Sequence, residues 1–214
     1  MQDRRTIMIV GNGDVPGGAG AIIDAADVVV RFNDCRSVGS GGQKTDVVAV
    51  CNTGRPGLAM LGGGRWKTNA AVRQAREIWC VRSGAKFAAM RGGLAETHPD
   101  LDDFCDDYTV GFESFSRSTG RRFRIVPAAV HEQVDRDLAG YAADPYVVPS
   151  SGMIVIADIL AHFATADDDV VLAGFGHVGW QWHPFAAERR YVDALAASGR
   201  LRRLHLSSSS SQGA

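Results

Sequence analysis

The stretch Thr6-Ile7-Met8-Ile9-Val10-Gly11-Asn12-Gly13-Asp14, continued through Gly17-Gly18-Ala19-Gly20 and Ala21–Ala26 to Val28-Val29-Val30-Arg31-Phe32-Asn33, decides the fold. Two short apolar runs flank a glycine-rich turn and a short helical pattern. Continuous apolar runs of this length are the mark of parallel strands buried on both faces. Glycines after the first run allow a ligand close to the backbone, and a following helix presents free N–H groups to a phosphate. The stretch therefore predicts a nucleotide-phosphate site at the carboxyl edge of a parallel sheet, where open α/β sheets bind ligands.

The same alternation continues outward. Further strands are expected at Thr45–Cys51, Glu77–Val81, Phe123–Val126 and Val170–Ala173, with a Tyr108-Thr109-Val110 strand in a middle segment, 83–120, that is hard to read. Helices are expected at Ala19–Ala26, Thr68–Arg76, Ala128–Ala139, Pro184–Ala197 and from Pro149-Ser150-Ser151-Gly152 to Ala164. Asn52–Gly64 holds six glycines or prolines and reads as an ordered loop or flap. Leu204–Leu206 reads as an edge strand, and Ser207–Ala214 as a disordered serine-rich tail behind a single domain spanning 1–206. The expected class is α/β, a mostly parallel central sheet flanked by helices, Rossmann-like.

Composition narrows the function. A net charge of −1 with interspersed signs gives no pull toward nucleic acid or an anionic membrane surface. The N-terminus leads directly into the first strand, which leaves no room for a signal peptide, and no apolar run spans a bilayer. Cys35, Cys51, Cys80 and Cys105 form no close pair and read as reduced, mostly buried thiols of a cytoplasmic protein without a zinc site. Asp167-Asp168-Asp169 precedes a strand at the opposite sheet edge and reads as a solvated turn. His98 and His131 read as surface residues.

Several segments could carry chemistry. Gly11-Asn12-Gly13 opens like a dinucleotide fingerprint, but Pro16 stands at the third glycine and Arg31-Phe32-Asn33 replaces the acidic residue of the second strand. Arg31 could meet a 2′-phosphate, so an NADP-dependent oxidoreductase is disfavoured and kept as an alternative. Asn12 and Asn33 lie beyond adjacent strands, and an amide can hold a phosphate oxygen, a ribose hydroxyl or a base edge; asparagine also simply tolerates left-handed backbone. Ser150 or Ser151 suits an N-cap, and with Gly152 the helix start also suits an anion or a base carbonyl. Gly174–Phe185 brings His177 and His183 together with Trp180 and Trp182. Histidine is the usual general acid or base near neutral pH, and tryptophans can stack on a sugar.

Taken together these segments resemble the sialyltransferases of glycosyltransferase family 29. The family's long motif resembles Ile9–Gly13, Ile23–Asn33, Val38-Gly39 and Lys44-Thr45-Asp46 here. Its short motif resembles Pro149–Gly152, Asp168-Asp169-Val170 and Gly174-Phe175-Gly176, and its histidine–glutamate motif resembles His183 and Glu188. The resemblance implies a GT-A-variant fold and inverting transfer from a CMP-sugar donor of the sialic acid or Kdo type to a hydroxyl acceptor, with no essential metal. It implies nucleotide contacts at Asn12 and Asn33 and a cytidine contact at Ser151-Gly152; the glycine loop and helix-start readings add Gly11, Gly13, Arg31 and Ser150 to the expected nucleotide site. His183 becomes the general base, Glu188 its orienting partner, and His177 a contact for the phosphate. Two family cysteines are replaced by Ile7 and Asp167. Some small bacterial members are labelled urease-operon accessory proteins, a description of gene neighbourhood, and a non-catalytic CMP-sugar-binding accessory protein is the main alternative.

Overall fold

A computed structural model describes residues 4–205. Seven strands form one sheet in the order β5-β4-β3-β2-β1-β6-β7, and every pairing is parallel. They are β1 (Thr6–Val10), β2 (Val28–Phe32), β3 (Val47–Val50), β4 (Glu77–Cys80), β5 (Arg122–Ile125), β6 (Asp169–Ala173) and β7 (Arg202–Arg203). The expected mostly parallel sheet is therefore wholly parallel among the described residues.

Alternation along each strand feeds two apolar faces. Ile7, Ile9, Val30, Phe32, Val47, Ala49, Trp79, Val170 and Leu172 point to one side. That side is closed by α7 (Ala128–Ala139), α8 (Ser151–Asp158) and α9 (Phe185–Ala197). Met8, Val10, Val29, Val171 and Ala173 point to the other, against Ile23 of α1 (Gly20–Asp24). Val48, Val50, Ile78 and Cys80 share that second side with Met60, Trp66, Ala71, Val72 and Phe112. Those five belong to α2 (Gly54–Gly62), α3 (Arg65–Thr68), α4 (Ala70–Gln74) and α6 (Thr109–Ser118). The helix α5 (Gly84–Thr97) and the 99–101 turn carry a satellite cluster of Phe87, Leu94, Phe104, Cys105 and Val148.

Four expectations are corrected. The 52–64 stretch is no flap: it forms α2, and Gly57 is needed there because a Cβ would sit 2.9 Å from the Tyr108 ring and 3.1 Å from the Asn52 carbonyl. Tyr108-Thr109-Val110 opens a helix rather than a strand, with Asp107 Oδ1 accepting from Thr109 N at 2.9 Å. His131 is 2% exposed, on the buried stripe of α7 with Val130, Val134 and Leu138, and its Nε2 meets the Val81 carbonyl at 2.8 Å. Asp168 is ion-paired with Arg5 at 2.7 Å, which holds its carboxyl down at about 2. The edge strand lies at Arg202–Arg203, just before its expected place, and the helix from Ser151 ends in a π turn at Ile159–Phe163. The tail expected at 207–214 lies outside the described residues.

The chain runs outward from β1 to β5 and returns to β6 on the other flank of β1. Strand order thus reverses between β1 and β6, and the carboxyl ends there are where such sheets place a ligand.

Candidate functional site at the carboxyl edge

Three asparagines organise this edge, one beyond each of β1, β2 and β3. Asn12 Nδ2 donates to the Phe32 carbonyl at 3.2 Å, and its Oδ1 accepts from Arg36 N at 3.0 Å. Asn33 takes left-handed backbone, φ 51°, and its Oδ1 accepts from Cys51 N at 2.8 Å. Asn52 is fully buried; Oδ1 accepts from Arg82 N at 2.8 Å while Nδ2 donates to the Arg82 carbonyl at 2.9 Å and to Thr109 Oγ1 at 2.7 Å. Each amide carries the pairing of its strand one step past its end, so the loops are tied to one another as a staircase. Asn12 and Asn33 were expected to touch nucleotide. Part of each amide is spent on the fold, although Asn33 Nδ2 has no partner among the described residues.

The glycines also serve the fold. Gly11 N donates to Ala173 O at 2.8 Å and Gly13 N to Gly174 O at 3.0 Å, so these two N–H groups do not cradle a phosphate as expected. A Cβ on Gly11 would lie 2.3 Å from the Gly174 carbonyl oxygen, which makes glycine obligatory where the two loops cross. Arg31 requires a firmer correction. It is fully buried, donating to the Lys44 and Gly41 carbonyls and to Thr45 Oγ1 and Ser37 Oγ. It braces the 37–45 loop and offers nothing to a 2′-phosphate or any other nucleotide group.

Around α8 the arrangement is built for chemistry. Ser150, not Ser151, is the N-cap: its Oγ accepts from Met153 N at 3.1 Å. Glu188 is 1% exposed, and its two oxygens accept from Ser150 N at 2.6 Å and Ser150 Oγ at 2.7 Å. A carboxylate there also suits the positive end of the helix. Gly152 passes under Phe175, whose ring a Cβ would meet at 2.7 Å. Glu188 was expected to orient His183, and it does not. The Val148 carbonyl does so, 2.8 Å from His183 Nδ1. An imidazole N–H must face that carbonyl, which leaves His183 Nε2 as the lone-pair nitrogen, with no partner among the described residues. Glu188 acts two residues along the chain, by locking Ser150 and hence the Val148 backbone.

His183 sits edge-on to Trp180 at 4.9 Å and Phe185 at 5.3 Å, and burial, helped by the charge of Arg82, brings its pKa down to about 4. His177 has left-handed backbone, φ 50°, and its Nε2 accepts from Arg203 Nη2 at 3.1 Å. Burial and Arg203 likewise lower it to about 4. Trp180 stacks on Phe104 at 5.3 Å and Trp182 is edge-on to His98 at 4.4 Å, so each tryptophan already has an aromatic partner. Sequence reasoning passed over Asn52, Arg82 and Val148; the one available signal was an asparagine beyond a third apolar run. Among the described residues no group of three or more His, Cys, Asp and Glu side chains is placed to hold a metal ion, and no helix is long and apolar enough to cross a membrane.

These shifts set an acid response. His177 and His183 titrate at about 4 when folded against 6.5 for the free side chain, so acid protonates the unfolded chain first. Their contribution is complete above pH 6.5 and is lost as pH falls toward 4, at no more than about 1.4 kcal/mol per pH unit for each. Buried His131, also lowered, adds to this. Glu188 is raised by burial and opposes it: its protonated form favours the fold below the ordinary carboxyl range, a gain lost as pH rises. Urea unfolding at pH 7, 6 and 5 should show a midpoint that falls with pH, with a shallower fall in His183→Gln. A fall with pH as steep in His183→Gln as in the wild type would mean that this imidazole is not held neutral.

No family model matches the chain. Over 205 residues it is 75% identical to the urease operon 23 kDa accessory protein of Rhizobium meliloti (strain 1021), covering 96% of this chain and 95% of that one. Its fold is similar to a mammalian sialyltransferase in complex with Gal-beta-1-3GalNAc-ortho-nitrophenol, with TM-score 0.51 and 19% identity over 94% of this chain and 69% of that one. It is also similar to the alpha-2,3-sialyltransferase from Campylobacter jejuni in apo form, with TM-score 0.52 and 15% identity over 95% and 76%. At these identities the likeness to the sialyltransferases is one of fold, and that fold is the α/β architecture expected from the sequence.

Proposed function

The chain belongs to the family of the urease operon 23 kDa accessory protein, and from that premise, with the sialyltransferase fold, we propose that it is an inverting glycosyltransferase. Its donor is a CMP-activated sugar of the sialic acid or Kdo type, its acceptor a hydroxyl compound, and the transfer uses no metal. The observation that carries this reading is the state of His183. Its Nδ1 is engaged by the Val148 carbonyl and its Nε2 is left as a base, at the carboxyl edge and beside the start of α8. A base so placed takes the proton of an attacking hydroxyl as the bond from the anomeric carbon to CMP breaks. The start of α8, at Ser151 and Gly152, and Asn33 Nδ2, which has no partner among the described residues, are the groups left to meet the nucleotide.

A second reading, a CMP-sugar-binding accessory protein without turnover, is favoured by one set of contacts. Asn12, Gly11, Gly13 and Arg31 spend donors on the fold that a nucleotide site would use. Calorimetry with CMP, CMP-N-acetylneuraminate, CMP-Kdo, a UDP-sugar and NADP separates the possibilities. Cytidine-selective binding with slow CMP release from a CMP-sugar is the expected result. Binding without release supports the accessory reading. NADP binding in preference to CMP overturns both.

A further inference from the structure

Arg82, immediately beyond β4, carries a buried charge that the fold does not neutralise. The residue is 6% exposed. Nη1 donates to Thr53 Oγ1 at 2.8 Å, and the guanidinium lies 4.8 Å from the centroid of Phe87 and 4.7 Å from that of Phe104. Cation–π contacts hold the group in place but supply no counter-charge. The nearby groups whose negative form would favour it are the thiols of Cys51 and Cys105, not carboxylates. Burying a cation without a partner is costly, and proteins rarely do so without a use for it. The backbone of Arg82 is clamped on both sides by the Asn52 amide, so the guanidinium is aimed by a rigid mount. Its Nε and Nη2 have no protein partner among the described residues. Those two N–H groups form the side-on fork that matches the two oxygens of a carboxylate.

The position of Arg82 says what such a fork is for. Phe104, beneath the guanidinium, stacks on Trp180, and Trp180 touches His183 edge-on. Arg82 and the base therefore share one aromatic column. Three strand spacings separate the ends of β1 and β4, about 14 Å at about 4.8 Å each. A donor with its nucleoside end at Asn33 and the start of α8 would have two to three such spacings to cover to bring its sugar end to Arg82.

We infer that Arg82 is the oxyanion subsite of this edge and that it takes the carboxylate of a 2-keto-sugar acid. The donor identity rests on the transferase reading above; the anion subsite itself rests on the guanidinium's surroundings. One consequence concerns His183, whose proton affinity is lowered first by burial and then by the charge of Arg82. A carboxylate seated on Arg82 cancels the charge that weakens the imidazole as a base, so His183 gains proton affinity when substrate is present.

The test follows the His183 imidazole by NMR through a pH titration, with free N-acetylneuraminate, its methyl ester, CMP and inorganic phosphate added in turn. The acid should raise the His183 pKa by about one unit and bind at least about tenfold tighter than the ester. Arg82→Met should remove that difference, and Arg82→Lys should retain part of it. The wild-type comparison of acid with ester stands even if Arg82→Met fails to fold. Equal behaviour of acid and ester, or a response to phosphate that the acid does not produce, overturns the subsite. CMP binding with no response to the acid sinks this inference alone. A response to the acid with no CMP binding sinks the nucleotide reading alone.

Discussion

Alanine at His183 should cut CMP release from a CMP-sugar acid by about 10²–10⁴-fold, the usual worth of one positioned base, while CMP affinity changes by less than about twofold. The split follows from geometry. His183 is held by a backbone carbonyl and flanked by Trp180 and Phe185, whereas the groups assigned to the nucleotide lie at Asn33 and the start of α8. Removing the imidazole takes away a group that acts on the acceptor hydroxyl and leaves the nucleotide contacts in place. The pH profile adds a second check. With burial holding the imidazole at about 4, the acidic limb of kcat/KM, which reports the free enzyme, should fall near pH 4 rather than near 6.5. Turnover by His183→Ala at the wild-type rate would remove the histidine from the chemistry whatever the fold.

The second large effect belongs to Glu188, as a positioning residue. Glu188→Ala leaves Ser150 N–H and the Ser150 hydroxyl without their acceptor at a part-buried position. An orphaned donor costs about 1–3 kcal/mol, and two part-buried ones at the low end of that range give an expected loss of about 3 kcal/mol. For a chain of this size that lowers the thermal midpoint by roughly 6–12 °C. A purely structural role would stop there. Here the N-cap also sets the Val148 carbonyl that fixes the His183 tautomer, so the His183 pKa should move in the variant although Glu188 does not touch the ring. A double-mutant cycle with Ser150→Ala should be non-additive by the worth of the hydroxyl–carboxylate bond, which either change breaks, while the backbone N–H bond to Glu188 survives Ser150→Ala. Additive losses, with an unmoved His183 titration, would show that the carboxyl does not act through the cap.

The contrast between Glu188 and α7 shows where sequence reading succeeds. The α7 helix was placed residue for residue, because its apolar spacing is a local property of one segment. The strands Thr6–Val10 and Val28–Phe32 were equally legible, since a run buried on both faces is apolar throughout. The α2 helix was missed because its glycines carry the punctuation of a loop, while in the folded chain Gly57 is required by the Tyr108 ring and Asn52 backbone packed against it. His131 was misplaced because its charged neighbours in sequence are not its neighbours in space.

By itself, then, the sequence determined the layers: six of the seven strands, their mostly parallel run, and that the residues of interest gather at their carboxyl ends. Local periodicity and turn chemistry suffice for that. The tertiary structure alone decided how each polar group at that edge is spent. Arg31 went to the 37–45 loop, Asn12 and Asn33 to neighbouring strand ends, and Glu188 to a cap 38 residues away. The orientation of His183 was given to a carbonyl 35 residues away. A hydrogen bond is satisfied by whichever partner the fold brings within about 3 Å, and no local pattern records that partner when the two residues lie far apart along the chain.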